Sequence, residues 1–208
     1  GTDNRLNVGR YNPANPTHLA NKVTLNEHSN NAPSLRGFSI ILYLGWRGTD
    51  GRLNIIASQD GSHFDEPDKN TFSTIIKTSP SLCTFGGGSH LFIAWEDMSA
   101  SSHINVALYD PTGLWEKFTL TSTSQLPVSV APLTSQPYWV SVAWRTANNT
   151  HIHLGIFEQG ISTTLQKPVN TTETTPYAPA LTSYGGTFYM SWTGTDAAQS
   201  INVSPVNI

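Results

Sequence analysis

Asp50, Asp97 and Asp196 each follow a tryptophan (Trp46, Trp95, Trp192) within four residues, and each precedes an asparagine set between hydrophobic residues (Asn54, Asn105, Asn202). Carboxylates that recur beside an aromatic ring suggest two chemistries. One is hydrolysis of a glycosidic bond, which needs a pair of carboxyl groups with unequal proton affinities; Glu96, Asp97, Asp50 and Asp196 are its candidates. The other is recognition of sugars, whose rings offer an apolar C–H face to an aromatic ring and hydroxyls to planar amides and carboxylates. Recurrence favours recognition, because an active site needs unlike groups and not copies of one. The expected ligand-binding residues are Trp46, Asp50 and Asn54, then Trp95, Asp97 and Asn105, then Trp144 and Arg145, then Trp192 and Asp196. Each also has a structural reading: Asp bonds its own backbone in turns, and a buried amide ties a neighbouring backbone group.

The elements that position these residues follow from repetition. Trp46, Trp95, Trp144 and Trp192 are spaced by 49, 49 and 48 residues. The phrase hydrophobic-Asn-hydrophobic recurs as Leu6-Asn7-Val8, Leu53-Asn54-Ile55, Ile104-Asn105-Val106 and Ile201-Asn202-Val203, with Ile152-His153-Leu154 as a variant. Such a period means an array of one supersecondary unit. Each unit opens with a small residue and Pro (Ala32-Pro33, Ser79-Pro80, Ala131-Pro132, Ala178-Pro179), a pair that suits the start of a strand we designate A. Strand B is expected at 41–46, 91–95, 140–144 and 188–192, ending at the tryptophan; strand C holds the asparagine, and strand D is expected at 21–25, 72–76, 116–120 and 164–169.

Alternation along strand B puts Leu42, Leu44 and Trp46 on one face, and likewise Leu91, Ile93, Trp95; Val140, Val142, Trp144; and Phe188, Met190, Trp192. The other face is small near the Trp end, with Gly45, Ala94, Ala143 and Ser191. Bulky faces lodging on small ones describe an all-β propeller of four-stranded antiparallel blades. A β-sandwich would also show short alternating strands, but gives no reason for a tryptophan at constant spacing. Four blades are expected, five being the alternative, in one domain over residues 1–208 with repeats at about 1–31, 32–78, 79–130, 131–177 and 178–208. The terminal strands are expected to share a blade, and the surplus N-terminal strand to offer an edge for homo-oligomer pairing.

Composition narrows the partners. Charged residues make up 12% of the chain and the formal net charge is −3, which supplies no basic field for nucleic acid. No apolar run has the length of a membrane span. Cys83 is the only cysteine, which excludes an internal disulfide and zinc sites built on paired thiolates. His151 and His153 share a strand face but lack a third ligand, so neither a metal site nor a cofactor is expected. Gly86-Gly87-Gly88 lacks the Lys-Ser/Thr of a phosphate loop. Gly1-Thr2-Asp3 matches the end of Trp46-Arg47-Gly48-Thr49-Asp50, so the chain begins inside a repeat, as a trimmed product would; a secreted or extracellular location is expected.

The segment from Trp46 to Ile55 followed by Ser58-Gln59-Asp60-Gly61-Ser62-His63-Phe64 resembles bacterial propeller repeats of the Asp-box, sialidase-type kind. Trp192-Thr193-Gly194-Thr195-Asp196 is a second copy of its first half, and Asp110-Pro111-Thr112-Gly113-Leu114-Trp115 a loose copy of the box. The resemblance implies a propeller in which the box is a structural turn between the third and fourth strands, Asp bonding backbone amides above a packed aromatic ring. It also brings sialidase chemistry to mind, which needs three convergent arginines; only Arg47 and Arg145 hold equivalent positions. The combined expectation is a non-catalytic, lectin-like module that binds carbohydrate through repeated sites on one propeller face, with a glycosidase or sialidase-like hydrolase, or a structural protein-binding propeller, as alternatives.

Overall fold

The structure is a computed structural model that describes residues 3–16, 19–86, 90–110, 113–133, 136, 138–146, 148–158 and 164–206. Gly1-Thr2, Gly87-Gly88 and Pro111-Thr112 lie outside the described residues. The chain forms two compact units, 1–75 and 76–208.

The first unit contains β1 (Arg5–Tyr11), β2 (Leu19–His28), β3 (Ser34–Phe38), β4 (Ile41–Arg47), β5 (Arg52–Ser58) and β6 (Lys69–Ile75). β1 and β2 pair as an antiparallel C–D hairpin, and β3-β4-β5-β6 is a complete A-B-C-D sheet. The second unit contains β7 (Ser81–Phe85), β8 (His90–Glu96), β9 (His103–Asp110), β10 (Gly113–Thr123), β11 (Ser129–Pro132), β12 (Trp139–Arg145), β13 (His151–Glu158), β14 (Gln166–Thr174), β15 (Ala180–Tyr184), β16 (Thr187–Thr193) and β17 (Ile201–Val206). They make two complete blades, β7–β10 and β11–β14, and a three-stranded A-B-C blade, β15–β17. The fold is thus the all-β propeller that the repeat predicts, with A-B-C order present four times. The terminal strands were expected in one blade; in the hydrogen-bond pattern β1–β2 and β15–β17 are separate sheets.

One strand assignment needs correction. Ala131-Pro132 does not open the third repeat: β11 starts at Ser129, and Pro132 ends it opposite Val140. Register shows why the motif misled. Ser34, Ser81 and Ala180 follow Pro33, Pro80 and Pro179 and stand opposite the residue just before the strand-B tryptophan; Ser129 holds that position after Val128.

Within each unit the bulky faces pack against the preceding sheet, on Ala94 and Ala143 in the second unit but on large residues in the first. Val140, Val142 and Trp144 pack with Phe92 and Ala94 of the preceding blade, Met190 and Trp192 with Ala143, and Leu44 and Trp46 with Leu6, Val8 and Leu25. A tryptophan removes about 150–250 Å² from water in such a seam, so these rings carry a large share of blade adhesion. Serine hydroxyls join the innermost strands: Val130 N–H donates to Ser81 Oγ at 3.3 Å and Leu181 N–H to Ser129 Oγ at 2.8 Å. No described helix is long and apolar enough to cross a membrane.

Candidate functional site

Strand register aligns the expected site residues in a row across each blade. Trp46 stands opposite Asn54, and Asn54 opposite Thr71; Trp95, Asn105 and Thr119 repeat the row; Trp192 stands opposite Asn202. Directly opposed residues share a face, so each row is one continuous surface. It is a structural surface. Trp46 and Trp95 are 0% exposed and Trp192 is 9% exposed, which places none of them as an open stacking platform.

The asparagines are consumed by the fold. Asn54 Nδ2 donates to Arg52 O at 3.0 Å while Thr71 Oγ1 donates to Asn54 Oδ1 at 2.7 Å. Asn105 does the same with His103 O and Thr119, and Asn7 with Arg5 O and Thr24. Asn202 Nδ2 bonds Ser200 O. Asn7, Asn54 and Asn105 each pin the start of their own strand and one hydroxyl of strand D, and Asn202 pins the start of its strand alone; in the buried Asn54 and Asn105 these bonds satisfy a side chain that would otherwise be costly to bury.

The aspartates close the B-to-C turns. Asp50 Oδ1 accepts from Arg52 N at 3.0 Å; Asp97 Oδ1 accepts from the amides of Ser99 and His103, and its Oδ2 from Asn105 Nδ2; Asp196 accepts from the amides of Ala198 and Ser200. These are Asx turns. Burial raises the Asp97 proton affinity, but the bonds from Ser99, Asn105 and His103 outweigh it and hold the carboxyl below its usual value. The Ser200 amide, first among several donors, does the same for Asp196. Gly48 and Gly194 leave the room: a Cβ there would come within 2.6 Å of the Asp50 and Asp196 carboxylates. Arg145 is also engaged, Nε with Asn149 O at 3.1 Å and Nη1 with Pro176 O at 3.2 Å.

Asp60, the centre of the box-like segment, sits in the turn after β5. It accepts from the amides of Ser62 and His63 at 2.8 Å, its other oxygen lies 2.5 Å from His63 Nδ1, and Phe64 packs into the core below. That partnership depresses the Asp60 carboxyl and raises the His63 imidazole.

Glu96, the strongest catalytic candidate by type, is sealed. It is 0% exposed, and neither carboxyl oxygen receives a well-aligned hydrogen bond, the Glu96 and Val128 amides being its nearest donors. Burial pushes it up to about 8 against the weaker pull of the Glu96 and Val128 amides and of Lys77. Among the described residues no group of three His, Cys, Asp or Glu is placed to hold a metal ion.

Two repeated devices went unnoticed in the sequence. Strand D carries Lys-x-Thr at Lys22-Val23-Thr24, Lys69-Asn70-Thr71 and Lys117-Phe118-Thr119. The lysine lies over the tryptophan of its blade, Lys69 Nζ 5.9 Å from the Trp46 ring and Lys117 Nζ 5.6 Å from Trp95. Second, a hydroxyl in the D-to-A connection clamps adjacent sheets: Ser29 Oγ lies 2.7 Å from Arg47 O, and Ser124 Oγ 2.9 Å from Arg145 O. Period-matching by hydrophobic residues passes over such polar positions; aligning strand D by its lysines would have found the first.

The blade β11–β14 breaks the row. His153 stands where the others have Asn, Asn170 where they have Thr, and Pro168 where they have Lys. His153 Nδ1 lies 2.6 Å from Asn170 Oδ1, and the imidazole stacks on Trp144 with ring centroids 5.7 Å apart and planes 25° apart. A bulge shifts β14 against β13 between Leu154 and Ile156, and Lys167, with φ of 45°, lies over Trp139 instead of Trp144. In place of the missing lid there is a groove of about 350 Å³ against the end of β10. Trp144, His153 and Asn170 line it from one blade and Thr121, Ser122 and Thr123 from the other. Beneath its wall, Trp144 Nε1 and His153 Nε2 have no hydrogen-bond partner. This groove is the candidate site, and of the expected residues it gathers only Trp144.

No family model matches the chain. No curated protein matches it in sequence. Among solved structures, the SapL1 lectin in complex with alpha methyl fucoside superposes with a TM-score of 0.66 at 8% identity, over 100% of this chain and 70% of the lectin. The GH43_1 enzyme from Xanthomonas citri complexed with xylose gives 0.56 at 11% identity, over 85% of this chain and 68% of the enzyme. BBS1N in complex with ARL6DN gives 0.58 at 14% identity, over 97% of this chain and 58% of that one. At these identities the likeness is one of fold, shared by a lectin, a glycoside hydrolase and a protein-binding chain alike.

Proposed function

We propose that this protein is a non-catalytic recognition module whose ligand is a carbohydrate, bound between blades of the propeller. The observation that carries the reading is the groove in the second unit: an aromatic pair, Trp144 and His153, walled by hydroxyl and amide side chains. That combination suits a sugar ring, whose C–H groups lie on an aromatic surface while its hydroxyls pair with polar rims; Trp144 is 5% exposed, so a ligand meets its face only as the groove widens. The fold shared with a fucoside-binding lectin supports it. The carboxylates support recognition over hydrolysis: Asp50, Asp97 and Asp196 are spent on turns, and Glu96 is sealed from any substrate.

The test is isothermal titration of the whole chain with a panel of methyl glycosides, beside hydrolysis assays on the matching nitrophenyl glycosides. Saturable binding without turnover is expected. Turnover that Glu96→Gln abolishes would move the protein to the hydrolases.

A further inference from the structure

We infer that this groove selects an uncharged saccharide, because its blade has lost the lysine lid that covers the tryptophan in the blades of Trp46 and Trp95. The inference deepens the proposed function and rests on it. In the blades of Trp46 and Trp95, three features close the surface over the ring. The lysine of strand D lies across it, the asparagine of strand C sits beside it, and the threonine of strand D saturates that asparagine. Trp46 and Trp95 are 0% exposed, Trp144 is 5% exposed, and Trp192, in the three-stranded blade without a strand D, is 9% exposed. In the blade of Trp144 three substitutions remake the row: Pro168 is too short to reach the ring, and His153 enlarges the aromatic area where the others have an amide. Asn170 then takes up His153 Nδ1 in place of the threonine's bond.

The bond to Asn170 also sets the polarity of the imidazole. An amide oxygen only accepts, so Nδ1 carries the hydrogen, and the tautomer with its hydrogen there has a lone pair on Nε2. Beside it the indole Nε1–H of Trp144 can only donate. Both atoms lack a protein partner, so a small outward movement of the rings presents one acceptor and one donor together, which is the complement of a hydroxyl group.

Charge narrows the ligand further. The described lining of the groove holds Thr, Ser, Asn, Trp, His, Leu and Pro and no acidic or basic chain. A carboxylate sugar would enter without a counter-charge and lose its hydration, which is unfavourable. The sialic acid that the box-like repeat brings to mind is therefore excluded from this groove, while neutral pyranoses fit.

The experiment compares the wild-type chain with a repeat-restoring variant, His153→Asn, Pro168→Lys and Asn170→Thr, which rebuilds the arrangement that the other blades already tolerate. Calorimetry would use methyl glycosides of fucose, galactose, mannose, glucose and xylose, with N-acetylneuraminic and galacturonic acids as the charged probes. Expected are no binding of the acids and at least about tenfold weaker binding of the neutral ligand by the variant at unchanged melting temperature. Should the triple variant unfold, His153→Asn alone is expected to weaken binding in the same direction. Preference for the acids, or full affinity in the folded variant, would overturn the neutral-saccharide site in this groove and leave carbohydrate recognition standing. No saccharide binding to the wild type would defeat the proposed function itself.

Discussion

Trp144 and His153 face each other across β12 and β13 with ring centroids 5.7 Å apart, at the register position where Trp46 and Trp95 face asparagines. An amide at that position is bonded by the fold at both its oxygen and its nitrogen, whereas the imidazole keeps one ring nitrogen unspent. On the function we propose, the difference separates a blade that only holds the propeller together from the one that also holds the ligand.

The structural row is testable in the blade β3–β6. Thr71→Val leaves the Asn54 carbonyl oxygen without its donor at a position only 4% exposed, and about 1–3 kcal/mol of stability is expected to go. Asn54→Ala should cost a similar amount, and the double variant less than the sum, since the two share one bond. Urea denaturation of the four proteins measures the coupling; strict additivity would mean that the threonine and asparagine act separately.

Ser124 offers a second check on how blades are joined. Its hydroxyl is fully buried, lies within 2.9 Å of Leu126 O and Arg145 O, and accepts from Leu126 N–H at 3.2 Å. Removing it in Ser124→Ala strands a buried donor and two carbonyls. A loss of about 1–3 kcal/mol is expected, read as a lower melting temperature, and a neutral result would show that the clamp is incidental.

Glu96 should make stability depend on pH with a known sign. Its folded value, pushed up to about 8 by burial, lies above the ordinary 4.5. The folded state therefore holds a proton that the unfolded chain has released, and stability falls as pH rises between those values. Below about 4.5 both states are protonated and the effect vanishes; above about 8 it is complete. The slope is about 1.4 kcal/mol per pH unit inside that window. Glu96→Gln removes the dependence, so the melting temperatures of variant and wild type should converge near pH 4.5 and diverge in the variant's favour toward pH 8.

Much of this architecture was legible in the sequence because tryptophan spacing and two-residue alternation report directly on strand B, and all four strands ending at Trp46, Trp95, Trp144 and Trp192 lie where the pattern puts them, each extended by one residue at either end or at the C-terminal end. The third strand A was misplaced because Val128 stands where its siblings have proline, and the nearest Pro, Pro132, lies at the other end of the strand. The site was less legible for a physical reason. Asp and Asn recur most where the fold needs them most, so the most repeated polar residues are those the turns consume. His153 was visible as the odd member of its motif, but its meaning depends on Pro168 and Asn170, which strand register alone brings beside it.

The most direct test follows the indole N–H resonances in a nitrogen-correlated NMR spectrum during titration with the neutral glycoside that binds, Trp144 being assigned by Trp144→Phe. The groove predicts a saturable shift of the Trp144 signal with those of Trp46 and Trp95 unmoved. Equal shifts at all three, or a shift at Trp46 or Trp95 with Trp144 silent, would contradict it.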